Sequence, residues 1–229
     1  MKQLKTKAIV LGRLNYRETD RLLTVLTPDY GKLSLIAKGA RAMKSKLAGG
    51  IELFSINDIG FMTGKGEMHT LTSSRLDTYY PNILKDMARV QLGYDLLRLV
   101  NKLTEDQPGE EYFRLLQLTL ATLNDDRIGT EVVKLWFLAQ LISVSGHKPN
   151  LLTDAGGGEL LADLDYAFDA GAMAFRTRPA GRYGSRHIKM LRLAFDQNVR
   201  PAILERVFDK QQLIAELLPL VENIRMQYL

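Results

Sequence analysis

Residues 16–49 read YRETDRLLTVLTPDYGKLSLIAKGARAMKSKLAG. Two runs rich in Leu, Val, Ile and Thr, 20–27 and 31–38, flank Pro28-Asp29-Tyr30-Gly31. That tetrapeptide carries Pro and Gly where a tight turn needs a preset φ and a positive one. The stretch therefore reads as strand, turn, strand. Working outward, 6–14, 51–62 and 67–73 have the same composition, with Gly39, Gly49-Gly50 and Gly64-Lys65-Gly66 between them. Five short strands within residues 5–76 predict a small barrel, because closure removes exposed sheet edges, and the OB-fold is the expected five-stranded solution.

From Pro81 the apolar period becomes helical. Ile83, Met87, Val90, Tyr94, Leu97 and Val100 recur every three or four residues, and Phe113, Leu116, Leu120 and Leu123 follow Pro108 on one face. Segment 131–145 is apolar all round, which predicts a central buried helix. Residues 146–182 break the pattern with Gly146, Pro149, Gly156-Gly157-Gly158, Gly171 and Gly181, and carry two strand-like runs, 159–164 and 166–176. Helices resume near Ser185. The last, after an N-cap at Asp209, turns Leu213, Leu217, Leu220 and Ile224 inward, with Pro219 expected to kink or break it. The predicted fold class is α+β and multidomain. An OB-fold barrel over 1–79 precedes an α-helical domain over 80–229, with a small β-containing insert at 147–184.

Composition excludes several chemistries. The chain has 229 residues and no cysteine, so thiolate catalysis, disulfides, iron–sulfur clusters and cysteine-based zinc sites are ruled out. Gly60 to Gly66 reads GFMTGKG, one residue short of a phosphate loop and lacking its Ser or Thr, so it reads as a hairpin turn. His69, His147 and His187 form no metal pair at helical spacing, and Asp125-Asp126 and Asp163/Asp165 fall in turn-like sequence. No residue stands out as a nucleophile or general base. The expectation is a non-enzyme with no cofactor and no metal site. No apolar run approaches 18 residues and Met1–Lys7 is polar, which predicts a cytoplasmic protein without membrane association.

The basic excess is concentrated. Residues 1–80 hold 13 Lys and Arg against 7 Asp and Glu, whereas 81–229 hold 18 against 19. A basic module joined to a neutral one points to a polyanion-binding head. Alternation along 31–38 puts Leu33, Leu35 and Ala37 on one face and Lys32 and Lys38 on the other. The next loop carries Arg41, Lys44 and Lys46, with no acid from Lys32 through Ile51, and Arg13, Arg17 and Arg21 flank the first turn. In an OB-type barrel, strands two and three and their loops form the nucleic-acid face, so these eight cations are the candidate phosphate track. Tyr16 and Tyr30 offer a sparse stacking platform. A protein-interaction adaptor and an OB-type RNA binder are the alternatives.

Four blocks in order, Tyr16–Leu23, Thr27–Lys32, Lys38–Arg41 and Lys44–Gly49, resemble the RecO family of bacterial recombination-repair proteins. Gly146-His147-Lys148-Pro149 resembles that family's Gly–aromatic–x–Pro. The resemblance implies an OB-fold, a helical bundle and an insert built around a four-cysteine zinc site. It implies binding of single- and double-stranded DNA, annealing of complementary strands, and a nucleoid-associated place in the cytoplasm. With RecR as partner, such proteins help load RecA onto DNA coated by single-strand-binding protein, whose acidic, apolar C-terminal tail they also bind. The motif nominates Lys38, Arg41, Lys44 and Lys46 for DNA. For the tail, Arg114, Arg127 and Lys134 are the candidate cations, because they flank the most apolar helix. The family's Cys-x-x-Cys pairs would fall near Asp154–Gly157 and Phe175–Arg178, where this chain has none. Either apolar residues such as Leu160, Leu164, Phe168 and Phe175 hold the insert instead, or it is loose.

Overall fold

The computed structural model describes residues 2–45, 47–64, 66–104 and 110–229. They divide into two compact units, Met1–Asp126 and Arg127–Leu229.

The first unit begins with five strands: β1 (Gln3–Tyr16), β2 (Asp20–Thr27), β3 (Gly31–Ala37), β4 (Ser55–Met62) and β5 (Met68–Tyr79). Their order is β1-β2-β3-β5-β4, and β4 pairs back onto β1 to close the barrel. All neighbours are antiparallel except β3 and β5, which pair in parallel over Ser34–Ile36 and Met68–Thr70. This is the OB-fold order. β1 serves both sides of the closure: Gln3–Ile9 pair with β4, and Ile9–Tyr16 pair with β2. A register shift between Val10 and Gly12 lets the long strand bend between its two partners. The alternation in β3 is as expected, with Leu33, Leu35 and Ala37 buried in one cluster with Val10, Leu23, Val25, Ile59, Phe61 and Leu71.

Two boundaries differ from the sequence reading by four residues or more. β5 runs six residues beyond Ser73, because Ser74–Tyr79 pair with Ser55–Ile59 although most of them are exposed. Backbone pairing, not apolar content, makes that half a strand. Residues 51–54 are not strand; a 3-10 turn at Ala48–Gly50 leads into them.

Helices α1 (Met87–Leu103) and α2 (Glu110–Leu123) complete this unit. The Asp86 carboxylate accepts from Arg89 N at 2.9 Å and caps α1. The buried face of α1 is Arg89, Gly93, Leu96, Leu97 and Val100, so Met87 and Tyr94, expected inward, are exposed. Gly93 explains the rotation. A Cβ there would lie 2.6 Å from Phe54 Cε1, so the absent side chain lets the helix close on the barrel. Arg89 is buried because its guanidinium donates to the carbonyls of Leu123, Asp125 and Asp126 at the C-terminal end of α2.

The second unit holds α3 (Thr130–Val144), α4 (Ser185–Phe195), α5 (Pro201–Leu204) and α6 (Lys210–Tyr228). Within α3, Val132, Val133 and Leu135–Ile142 are all buried, as the all-round apolar pattern predicts. Its one buried amide, Gln140, donates to the carbonyls of Ala194 and Asp196 at the end of α4. α6 runs through Pro219 without a break, and Asp209 precedes it with φ +54 and no side-chain cap. The small sheet has order β6-β8-β7, from β6 (Asn150–Asp154), β7 (Tyr166–Asp169) and β8 (Ala174–Thr177). The run 159–164 is not a strand; 150–154 takes that place. Edge position within this sheet needs one buried face, which Leu151 alone supplies.

Candidate nucleic-acid interface

Two connections carry most of the predicted cations: the β1–β2 turn at 17–19 and the segment from Lys38 to Gly50 that follows β3. They are fastened to each other. Asp20 opens β2 and is only 9% exposed. Its Oδ1 accepts the Gly39 N–H at 2.8 Å, across 19 residues of sequence. Gly39 has φ +63, a conformation that side-chain-bearing residues avoid, and this turns the chain out of β3. Two residues on, Arg41 N donates to Thr19 O at 2.8 Å, and its guanidinium reaches Glu18 O at 3.1 Å and Arg17 O at 3.4 Å. Arg17, itself at φ +52, sits 5.1 Å from the Tyr16 ring centroid.

The eight predicted cations then separate into groups. Arg17, Lys38, Arg41 and Lys44 are exposed on the two fastened connections, and none forms an ion pair among the described residues. Arg13 and Arg21 share one acid: Arg13 Nη1 lies 2.5 Å from Glu52 Oε2 and Arg21 Nη1 lies 3.9 Å from Oε1. Lys32 donates to Asn101 O at 2.9 Å in the last turn of α1, where carbonyls carry the negative end of the helix dipole. Lys46 lies outside the described residues. Both tyrosines are exposed, Tyr16 beside Arg17 and Tyr30 with one edge of its ring against Phe61 at 5.5 Å. Elsewhere on the barrel, four charged side chains form one linked network. Lys7 pairs with Asp77 at 2.9 Å and Asp58 at 3.4 Å, and Arg75 pairs with Asp58 at 2.8 Å. The Arg75 guanidinium holds Asp58 below the usual carboxylate range, the Lys7 ammonium does the same for Asp77, and Asp77 in turn raises Lys7. Arg17, Lys38, Arg41 and Lys44 thus form an exposed cationic group on the two connections, with Glu18 in the same turn.

Two residues of this region were not anticipated. Asp20 acts through a backbone amide, which no spacing rule displays. Glu52 had a signal, since it is the only acid between Asp29 and Asp58 in a basic stretch.

Among the tail candidates, Arg114 on α2 is 2.5 Å from Glu110, and Lys134 on α3 is 2.6 Å from Glu222. Arg127 is exposed at the start of the second unit. That unit also contains a cleft of about 690 Å³ between the turn at 178–183 and the C-terminal half of α6. Its lining includes Phe168, Pro179, Leu220 and Ile224, with Arg178 and Arg182 beside them. Neither arginine forms an ion pair among the described residues. The turn is tightly made: Ala180 has φ +53, and a Cβ on Gly181 would meet Tyr166 O at 2.5 Å.

The segments where zinc-binding cysteines would fall do come together: Asp154 is the register partner of Phe175, and Ala155 N donates to Phe175 O at 2.7 Å. The residues present do not fit the metal. There is no cysteine, and no three of His, Asp and Glu converge among the described residues. Asp154 Oδ1 instead accepts from Gly156 N at 2.9 Å and Gly158 N at 2.8 Å, closing its turn by itself. The rings of Phe168, Tyr166 and Tyr183 meet Phe175 edge-on at centroid distances of 5.3, 6.3 and 5.7 Å. Of the expected contacts, Phe168 and Phe175 are in this cluster, Leu160 and Leu164 are half-buried, and the two tyrosines are additions.

A closed five-stranded barrel with a basic pair of loops, followed by helices, defines an OB-fold protein of two-part construction. The chain belongs to the Recombination protein O family: the N-terminal sequence profile of that family matches residues 1–80 and the C-terminal profile residues 84–229. Relatives named DNA repair protein RecO include that of Alkaliphilus metalliredigens, 33% identical over 157 residues, which are 68% of this chain and 63% of the relative. The protein of that name from Acetivibrio thermocellus is 34% identical over 154 residues, 65% of this chain and 59% of the relative. That from Chlorobium luteolum is 29% identical over 180 residues, 78% and 68% respectively. The matched region thus spans less than two thirds of the first and second of these relatives' lengths. Among the described residues, no helix is long and apolar enough to cross a membrane.

Proposed function

We propose that this chain is a non-enzymatic DNA-binding mediator of recombinational repair. It binds single- and double-stranded DNA, anneals complementary strands and, with RecR, helps load RecA onto DNA coated by single-strand-binding protein. The observation that carries this reading is the fastened pair of connections, where the exposed Arg17, Lys38, Arg41 and Lys44 stand together and outnumber the acids, exposed Glu18 and nearly buried Asp20. Phosphates are neutralised there and counterion release supplies the affinity. Two exposed tyrosines, Tyr16 and Tyr30, leave most bases unstacked on protein, which suits annealing better than sequestration. Arg13 and Arg21 become available where phosphate displaces Glu52, and Lys46 extends the same basic sequence.

The double variant K38A/K44A tests the reading, because neither side chain supports the loop. Each lost phosphate contact reduces the slope of log K against log salt by about 0.7 on single strands, so the variant flattens it by about 1.4. An unchanged slope and affinity overturn the assignment. Equal binding to RNA of the same sequence favours the RNA-binding alternative, and no binding to either favours the adaptor.

The acidic, apolar tail of single-strand-binding protein fits the cleft of the second unit better than Arg114 or Lys134, whose charges are already met by Glu110 and Glu222. An apolar side chain needs the Phe168, Leu220 and Ile224 floor, and a carboxylate needs Arg178 or Arg182. Calorimetric titration of the full chain with a tail peptide is expected to give heat that the double variant R178A/R182A abolishes. Heat retained in that variant and lost in R127A returns the site to the start of α3.

A further inference from the structure

We infer that Asp20 is a positioning residue for nucleic-acid binding: its carboxylate holds the basic loop in its binding conformation through the Gly39 amide. The inference rests on the reading of the barrel loops given above.

The argument starts from a conflict of charge. Asp20 lies between Arg17 and Lys38, in the midst of the cations that would meet phosphate, and a carboxylate there repels phosphate. It is nevertheless nearly buried, 9% exposed, and makes no ion pair among the described residues. Electrostatics alone would favour an apolar or amide side chain at this position. What a carboxylate oxygen supplies is an acceptor at one place. The Gly39 N–H, at the exit of β3, has Asp20 Oδ1 at 2.8 Å, and the Thr19 hydroxyl approaches the same oxygen at 3.4 Å. Gly39 is the hinge, because its positive φ sets the direction in which Ala40, Arg41 and the rest of the loop leave the barrel. The Arg41 bonds to Thr19, Glu18 and Arg17 carbonyls then form only if the chain leaves in that direction. One acceptor thus fixes a hinge, and the hinge fixes where Arg41 and Lys44 stand relative to Arg17 and Lys38. An ordered loop binds with less entropy to lose than a free one.

Two substitutions separate this role from a mere charge. Asp20→Asn keeps an oxygen acceptor and removes the negative charge. Asp20→Ala removes both. If Asp20 acts only through its charge, both variants bind DNA more tightly than the parent. If it positions the loop, the two diverge: Asn stays within about twofold of the parent or tightens, and Ala weakens about tenfold, the factor corresponding to one charge-assisted hydrogen bond.

The experiment is fluorescence anisotropy of a labelled single-stranded oligonucleotide with the full-length parent, D20N and D20A. It is paired with amide hydrogen exchange at Gly39 and at the core residues Val25 and Leu35. The expected result is weak binding and fast Gly39 exchange in D20A, both restored in D20N, with core protection equal in all three. D20A that binds like the parent, or more tightly, overturns the positioning role. Should D20A lose core protection, D20E takes its place. It keeps the charge but shifts the acceptor by one methylene, and binding equal to the parent in that variant likewise overturns the role. A parent protein that binds no DNA overturns the reading beneath instead, and the exchange rate of Gly39 in D20A then still reports whether the clamp exists.

Discussion

The five-stranded barrel and the three-stranded sheet of the second unit are both small β-structures, yet different interactions hold them. The barrel closes on itself, so each strand has two neighbours, and its interior is filled by alternate apolar side chains such as Leu33, Leu35, Val25 and Phe61. The sheet β6-β8-β7 has two edges and strands of only four or five residues. A patch that small buries too little to stand alone. It rests on one ring, Phe175, surrounded by three others, and on polar ties to the helices of its own unit. Arg192 Nε donates to Leu151 O at 2.8 Å, and the Tyr228 hydroxyl donates to Ala170 O at 2.7 Å. Closure distributes stability over many positions, whereas an open sheet concentrates it in a few.

That difference predicts unequal sensitivity to single substitutions. Phe175→Ala removes a fully buried ring with three aromatic neighbours, and large-to-small changes of this kind cost about 3–5 kcal/mol. Hydrogen exchange is expected to show loss of protection through 150–177 while β1–β5 stay protected. A variant whose small sheet remains as protected as the parent breaks the comparison. Gly93→Leu comes next. Its side chain would be driven into Phe54, itself 1% exposed and unable to swing away, so the cost lies toward the upper end of the ~1–3 kcal/mol of overpacking. Denaturant unfolding should register it as a lower midpoint. A midpoint above the parent's would mean that the gain in helix propensity outweighs the clash.

The same contrast governs what could be read from the chain. Period-two alternation and the Pro28–Gly31 turn were enough for the barrel, because closure obeys a simple pattern and uses local turn chemistry. The all-apolar α3 and the inward set Leu213, Leu217, Leu220 and Ile224 were equally plain. The second half of β5 was hidden because its partner strand, not its own polar sequence, makes it a strand. The face of α1 was misplaced because a glycine, which carries no apolar signal, marks the closest approach. In the insert, Tyr166 and Tyr183 join a cluster assembled from positions 17 residues apart, which no short window reveals. At the interface the cations were legible as residues. Which of them are already engaged, Lys32 by a helix end and Arg13 and Arg21 by Glu52, required coordinates.

Acid sharpens the comparison with a smaller effect. Asp58 and Asp77 have lowered pKa values because Arg75 and Lys7 stabilise their charged forms. A depressed carboxylate contributes stability that is present above its unfolded pKa, about 4, and is lost as pH falls through the lower folded value. The barrel melting temperature should therefore drop between about pH 4 and pH 2, and Asp58→Asn should make that drop shallower. Both groups are largely solvent-accessible, so the change is modest and salt should reduce it further. An acid slope identical in Asp58→Asn and the parent would remove this network from the account.

The smallest expected effect is none. In a sheet held by zinc, metal binding is part of the folding free energy, and a chelator lowers the melting point. Here the two segments that would present the cysteines already meet through the Ala155–Phe175 hydrogen bond. The Asp154 carboxylate closes its own turn, and Asp169 closes the other by accepting from Ala172 N at 3.1 Å while pairing with Arg176 at 2.8 Å. Each turn has an internal acceptor for its amides, the role that a metal-bound thiolate would otherwise fill. Dialysis against a strong chelator should leave the melting temperature and the exchange pattern of 150–177 unchanged, and elemental analysis should find no stoichiometric zinc. A melting point that falls on chelation and returns with added zinc would show that the aromatic cluster is insufficient, and that histidines or carboxylates of this unit rearrange to hold a metal.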